Sequence, residues 1–255
     1  MTKIIAEIGL NHLGSYSSVV KYVRELDTHD IYGITLQVRE PEFYLRSDKK
    51  HLQLSKDEYK HARKEVGMSG KLFGVAIADS SMIDFFESIG TDFYKVIRND
   101  ITNKELISKL MSTGKEIIIS TGLSSDEDIQ NFIKEYGTNN VTLNHTQLSY
   151  SESDCNLRAI EGMRKKYNVP VSFGSHCENK NVLYMSLCYN PSHILFYIKD
   201  YKFCSDYSSK VYPDEKHAIA LDHISDVILN INKLSTAPGI EDKEKLGNKI
   251  PEMNI

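Results

Sequence analysis

Lys115-Glu-Ile-Ile-Ile-Ser-Thr-Gly122 is an apolar run closed by small polar residues, with Ser124 or Ser125 placed to cap a helix behind it. The amphipathic segment Asp126–Tyr136 follows, and Val141–Gln147 is apolar again. Outward from this stretch the same unit recurs. The runs Lys3–Leu10, Gly33–Arg39, Leu72–Ala78, Phe93–Arg98, Val169–Ser175 and His193–Lys199 complete a set of eight. Between them lie helix-like segments such as Ser17–Leu26, Met82–Ile89, Glu105–Met111, Asn156–Tyr167 and Glu178–Tyr189. Near-continuous apolar strands alternating with helices predict a parallel sheet. Eight units in 255 residues predict an α/β fold closed into a single-domain (β/α)8 barrel. Residues 1–236 are expected to form the barrel, and 237–255 a charged tail without fixed structure. Active sites of such barrels sit where the strands end, and there this chain carries Glu7, Gln37, Asp79, Lys95, Ser120, His145 and His176.

Composition narrows the function. A net charge of -4 with interspersed signs gives no nucleic-acid footprint. The longest apolar runs are strand-sized, so no membrane span is expected. Strand one begins without a leader, which makes the cytoplasm the expected compartment. Cys155, Cys177, Cys188 and Cys204 lack CxxC spacing and read as reduced thiols, not as a zinc or thioredoxin-like site. Helix one is expected to start at Ser15–Ser18, and a capped helix at Leu54–Glu58. Ile101–Thr113 reads as a helix ended by Gly114. The long connection Glu40–Leu54 reads as a binding loop or lid. Asp200–Tyr212 has no clear period, and Glu215–Leu234 is the expected last helix.

His145 and His176 end neighbouring strands, about 4.8 Å apart, so two imidazoles could grip one divalent ion and leave positions open for substrate oxygens. Two polar residues that merely rim a barrel are the plainer reading. Lys95, inside Phe93-Tyr-Lys-Val-Ile-Arg98, is costly to bury without an anion. It reads as a phosphate or carboxylate ligand, a Schiff-base lysine, or the partner of Glu7 in an internal ion pair. Glu7, in an apolar strand ahead of Asn11 and His12, is an acid–base candidate or a structural anchor. Ser120-Thr121-Gly122 offers a weak phosphate seat before a helix.

Taken together, these residues resemble the sialic acid synthase family. Ala6-Glu-Ile-Gly-Leu-Asn-His-Leu-Gly14 is similar to its AEIGxNHxG, and Phe93-Tyr-Lys95 with Asp100 to its YKIxSxE/D. Lys115–Gly122 resembles its KPIILSTG. Leu143-Asn-His145 with Tyr150, and Asn156–Ile160, resemble LLHCxSxYP and NLRAI. Val169–His176 is similar to its GYSDH, and Pro213-Asp214 with His217 faintly to its GPDH. The resemblance implies condensation of phosphoenolpyruvate with an amino-sugar aldehyde to give a sialic-acid-like sugar acid. It implies a divalent metal, manganese, on His145 and His176. It implies that Lys95 and Ser120 hold phosphoenolpyruvate, with Gln37 and Glu7 lining the site and Asp100, Asn11 and Tyr150 beside it. A homodimer is compatible with it.

Several family positions are replaced. Thr35 stands for the strand-two lysine, with Arg39 further on along the same face, and Arg98 stands for a serine. Both arginines are candidate phosphate ligands, or partners of Asp79, Asp100 or Glu40. Ala76, Thr146, Ser151 and Ser175 replace a threonine, a cysteine, a proline and an aspartate. The family's EKHF has no counterpart beyond Tyr201-Lys-Phe203, and its C-terminal antifreeze-like domain is expected to be missing. The expected function is therefore a metal-dependent synthase of this type. The alternative is a divergent barrel that binds a sugar or a partner synthase without turnover. A Schiff-base aldolase acting through Lys95 is a third reading.

Overall fold

The computed structural model describes residues 2–98, 100–200 and 212–239. Eight parallel strands follow one another in chain order: β1 (Lys3–Gly9), β2 (Gly33–Val38), β3 (Leu72–Ile77), β4 (Phe93–Val96), β5 (Glu116–Ser120), β6 (Val141–Thr146), β7 (Val171–Gly174) and β8 (His193–Lys199). β8 pairs with β1, Leu195 against Ile5, and this closes the barrel. A two-residue β9 (Ile219–Ala220) pairs with the end of β8 at Ile198 and Lys199.

Alternation along each strand sorts the side chains. Ile5, Phe93, Ile118 and Leu195 meet inside the barrel. Gly33 and Gly74 leave room for the Phe93 ring; a Cβ on Gly74 would lie 2.2 Å from Phe93 Cζ. The opposite faces, such as Ile4, Ile34, Phe73, Val96, Ile119, Leu143, Val171 and Phe196, join the helices in one large outer core. Those helices are α1 (Tyr16–Asp27), α2 (Pro41–Leu45), α3 (Lys56–Met68), α4 (Ile83–Ser88), α5 (Lys104–Ser112), α6 (Asp126–Tyr136), α7 (Arg158–Tyr167), α8 (Asn181–Ser186) and α9 (Leu221–Leu234). Ser15, Ser55, Asn103 and Ser125 accept from backbone amides of the first turns of α1, α3, α5 and α6. Ser55 with Glu58, and Ser125 with Asp128, form reciprocal capping boxes.

Four expected elements differ in detail. The Glu40–Leu54 connection contains α2 and a 3-10 turn, Lys50–Leu52, because Pro41 fixes the first helical turn. The segment expected as one helix over 178–189 is the short α8 followed by a 3-10 turn, Leu187–Tyr189. A 3-10 turn over Asp100–Thr102 precedes α5, where Asn103 caps afresh. The last helix starts at Leu221, since Ile219 and Ala220 are drawn into pairing with β8. The expected tail from 240 onward, Cys204 and Tyr201-Lys-Phe203 lie outside the described residues. Among the described residues no helix is long and apolar enough to cross a membrane.

Candidate active site

A cavity of about 320 Å³ opens at the C-terminal ends of the strands. The inward side chains of successive strands supply its lining: Gln37 from β2, Lys95 from β4, Ser120 from β5, Thr146 from β6 and Tyr197 from β8. His176, beyond β7, and Asp214 in the turn before β9 complete the inner wall. The volume suits a small polar ligand.

Lys95 is 4% exposed, and its Nζ is hydrogen-bonded to Glu7 Oε1, a buried ion pair across the barrel. The internal pair considered from sequence is thus present, and Lys95 lines the cavity as well. Its Nζ also lies 5.6 Å from the centre of the Tyr197 ring. Ser120 is buried, and its Oγ accepts a long contact of 3.5 Å from the Gly122 amide.

Arg39, Lys49 and Arg98 line the outer part of the cavity. Both arginines converge on one carboxylate. Arg39 donates to Glu40 through Nε at 3.0 Å and Nη2 at 2.9 Å, and Arg98 donates through Nη2 at 3.1 Å. These bonds, Arg39 first, hold the Glu40 carboxyl down at about 2. Arg98 also reaches Asp100 at 3.5 Å, and burial raises the Asp100 carboxyl. Arg98 adopts a left-handed φ of 52°, uncommon for a side-chain-bearing residue. Both arginines therefore face the cavity while engaged by Glu40. Asp79 is not among their partners; it caps the 3-10 turn Ser80–Met82 through Ser81.

The two histidines expected to share a metal leave their strands on opposite sides. His145 keeps the parity of Val141 and Leu143, lies in register with Phe173 and stacks on its ring at 6.2 Å in the outer layer. Its Nε2–H donates to the Cys155 carbonyl at 2.9 Å, and burial lowers its pKa. His176 faces the cavity, 4.5 Å from His217 between ring centres. The inward position of β6 at this level is Asn144, whose Oδ1 accepts from Ser172 Oγ at 2.9 Å. The residues present do not fit a metal held by His145 and His176. Among the described residues no group of three or more His, Cys, Asp and Glu side chains is arranged to hold one.

Other expected residues take supporting places. Asn11 is buried; its Nδ2 donates to the Ile198 carbonyl at 2.8 Å, and its Oδ1 accepts from the Asp214 amide at 3.2 Å. It fixes the turn that carries Asp214. Tyr150 is 45% exposed and stacks on His217 at 5.9 Å, outside the cavity lining.

Tyr197, Asp214 and His217 were not among the expected site residues. For Tyr197 the signal was available, since it shares the inward face of β8 with Leu195. The Asp214–His217 turn follows an unpatterned segment; its signal was the likeness of Pro213-Asp214 with His217 to GPDH, and pattern alone gave no means of seating it over the barrel.

A model of the NeuB family matches residues 17–243. An uncharacterised protein of Methanocaldococcus jannaschii is 28% identical over 186 residues, covering 69% of this chain and 55% of that protein. The N-acetylneuraminate-9-phosphate synthase of Mus musculus is 24% identical over 197 residues, covering 68% of this chain and 55% of that enzyme. This chain spans about half the length of these relatives. The crystal structure of an N-acetylneuraminic acid synthetase from Leptospira borgpetersenii, in complex with citrate, superposes with a TM-score of 0.86. That match has 20% identity and covers 96% of this chain and 88% of that one, which speaks for the fold.

Proposed function

The chain belongs to the NeuB family, and from that premise we propose that its barrel mouth condenses phosphoenolpyruvate with a sugar aldehyde. The observation that carries the reading is the polarity of the cavity wall. Lys95 at the base, with Arg39, Lys49 and Arg98 further out, gives one small cavity four cationic side chains, suited to a ligand with a phosphate and a carboxylate. Gln37 and Ser120 add neutral hydrogen-bonding groups on the same inner face. The Glu7–Lys95 pair fixes the ammonium at the end of β4, so it needs little reorganisation when an anion arrives. The enolpyruvate methylene would attack the aldehyde carbon, water would add at the resulting cationic carbon, and phosphate would leave. No step is assigned to a metal, because His145 is turned into the outer layer.

A second reading is a barrel that binds a sugar acid or phosphoenolpyruvate without turnover. It draws on Glu40, which already occupies the guanidinium groups of Arg39 and Arg98. Calorimetry with phosphoenolpyruvate, followed by phosphate release over a panel of amino-sugar aldehydes, separates the two. Binding with release supports the synthase; binding with no release across the panel favours the second reading. A chain that binds no phosphoenolpyruvate sinks the proposal.

A further inference from the structure

We propose that Asp214 is a proton donor of this mouth, delivering its carboxyl proton to the acceptor's aldehyde oxygen as the carbon–carbon bond forms. The inference rests on the condensation reading and names the group that polarises the carbonyl where His145 and His176 form no pair.

The geometry of the turn carries it. Asp214 lines the cavity with a side chain 17% exposed. Its Oδ2 is buried and, among the described residues, has no hydrogen-bond partner. Its Oδ1 lies 3.7 Å from His217 Nε2, beyond hydrogen-bond reach. The carboxyl is nevertheless firmly placed. Its own amide donates to Asn11 Oδ1 at 3.2 Å, and its carbonyl accepts from the Ala218 amide at 3.0 Å. Gly9 leaves it room, since a Cβ there would stand 3.3 Å from Oδ2.

The surrounding charges favour the neutral acid. Lys95 is bonded to Glu7, and Glu7 itself faces Asp214 as a second carboxylate. An ionised Asp214 would put charge on an Oδ2 that is buried without a hydrogen bond, which is costly. Burial first and Glu7 second raise its pKa to about 7, with Lys95 opposing. The rings around it are poor proton carriers by comparison. Burial with nearby Lys95 and Lys199 lowers His217 to about 4, and burial with His217 and Lys95 lowers His176 to about 3. Burial raises the Tyr197 phenol well above its ordinary value. Asp214 is thus the group whose proton is both held and transferable near neutral pH.

The step balances. The enol carbon bonds to the aldehyde carbon, the carbonyl π pair moves to oxygen, and that oxygen takes the Asp214 proton to become a hydroxyl. Water adds at the cationic carbon. One of its protons restores Asp214, the other leaves with phosphate as the carbon–oxygen bond to phosphate breaks, and the new ketone remains.

Infrared difference spectra of the parent against Asp214→Asn at pH 6 should contain the C=O band of one protonated carboxyl, lost as pH rises through about 7. Absence of that band overturns the proposal whether or not an acceptor is known. With a turned-over aldehyde, Asp214→Asn should lose about 100-fold or more in kcat, the scale of a general acid. Its phosphoenolpyruvate Kd should stay within about twofold of the parent, Asp214→Glu should recover part of the rate, and parent kcat should fall above pH 7. Unchanged kcat in Asp214→Asn overturns the inference. So does parent turnover that stops on chelation and returns with Mn2+, although the condensation reading would then stand. A parent that binds no phosphoenolpyruvate removes the condensation reading, and this inference with it.

Discussion

A histidine whose Nε2–H is given to a buried carbonyl serves the backbone, and His145 does this for Cys155. Its loss would leave that carbonyl unsatisfied, so His145→Ala should cost about 1–3 kcal/mol of stability. Its phosphoenolpyruvate Kd should stay within about twofold of the parent. Urea unfolding with calorimetry checks both; a variant of parental stability that no longer binds would reverse the assignment. Parity explains why the residue misleads. In Val141-Thr-Leu-Asn-His-Thr146 the apolar residues alternate with polar ones, so His145 shares the face of Val141, whereas in Val171-Ser-Phe-Gly-Ser-His176 the histidine shares the face of Ser172. Position at a strand end was legible; the face was legible too, once each strand was read in steps of two. The Arg39–Glu40–Arg98 cluster was legible as candidate partners but not as geometry, because it joins the ends of β2 and β4 across the cavity. If Glu40 competes with an incoming anion, Glu40→Gln should tighten phosphoenolpyruvate binding by about two- to fivefold. That is a modest gain, because the Glu40 side chain is 30% exposed and its pairs are screened. Weaker binding in that variant would instead make Glu40 the group that orients the arginines.

At the scale of elements, the connection between β2 and α3 is held down by a backbone contact. Gly14 has φ 74°, and a Cβ there would stand 1.7 Å from the His51 carbonyl oxygen. The first loop and the 3-10 turn Lys50–Leu52 therefore touch without side chains between them. Leu10, Tyr44 and Leu52 pack beneath as a small apolar cluster, and Tyr44 Oη accepts from the Arg39 amide at 3.1 Å. Gly14→Ala combines a disfavoured φ with a clash against backbone, so it should destabilise by more than about 1 kcal/mol, the scale of an incompatible Gly→Ala change. It should also weaken ligand binding, because Leu10 and Leu52 line the cavity. Ser125→Ala, which removes one half of a distant capping box, should cost a similar 1 kcal/mol or so and leave binding unchanged. Comparing the two by urea unfolding and calorimetry tests the coupling; equal binding in both variants would remove it. Capping serines and strand runs were readable because their causes are local. The β9 pairing and the break after α8 were not, because each is decided by a neighbour distant in sequence.

For the whole molecule, burial sets the response to acid. His12, His193 and His217 are pushed down to about 4 and His176 to about 3, burial being the largest cause for each. The unfolded chain takes up these protons near the ordinary value of 6.5, before the native state does. Their contribution to stability is therefore present above pH 6.5 and is lost as pH falls towards about 4. Asp214 runs the other way. Its carboxyl is raised from 3.8 to about 7, so its contribution is complete below 3.8 and is lost as pH rises to about 7. Between pH 6.5 and 4.5 these four histidines, joined by His145, which burial also lowers, outnumber the two raised carboxyls Asp214 and Asp100, and the urea midpoint should fall on acidification. Each group can contribute at most about 1.4 kcal/mol per pH unit. Asp214→Asn removes an opposing group, so its midpoint should fall more steeply over that interval, whereas His217→Gln should flatten the fall. A parent midpoint that is constant from pH 6.5 to 4.5 would mean that the buried rings are not held neutral. An Asp214→Asn slope equal to the parent's would mean that Asp214 does not carry its proton in the folded barrel.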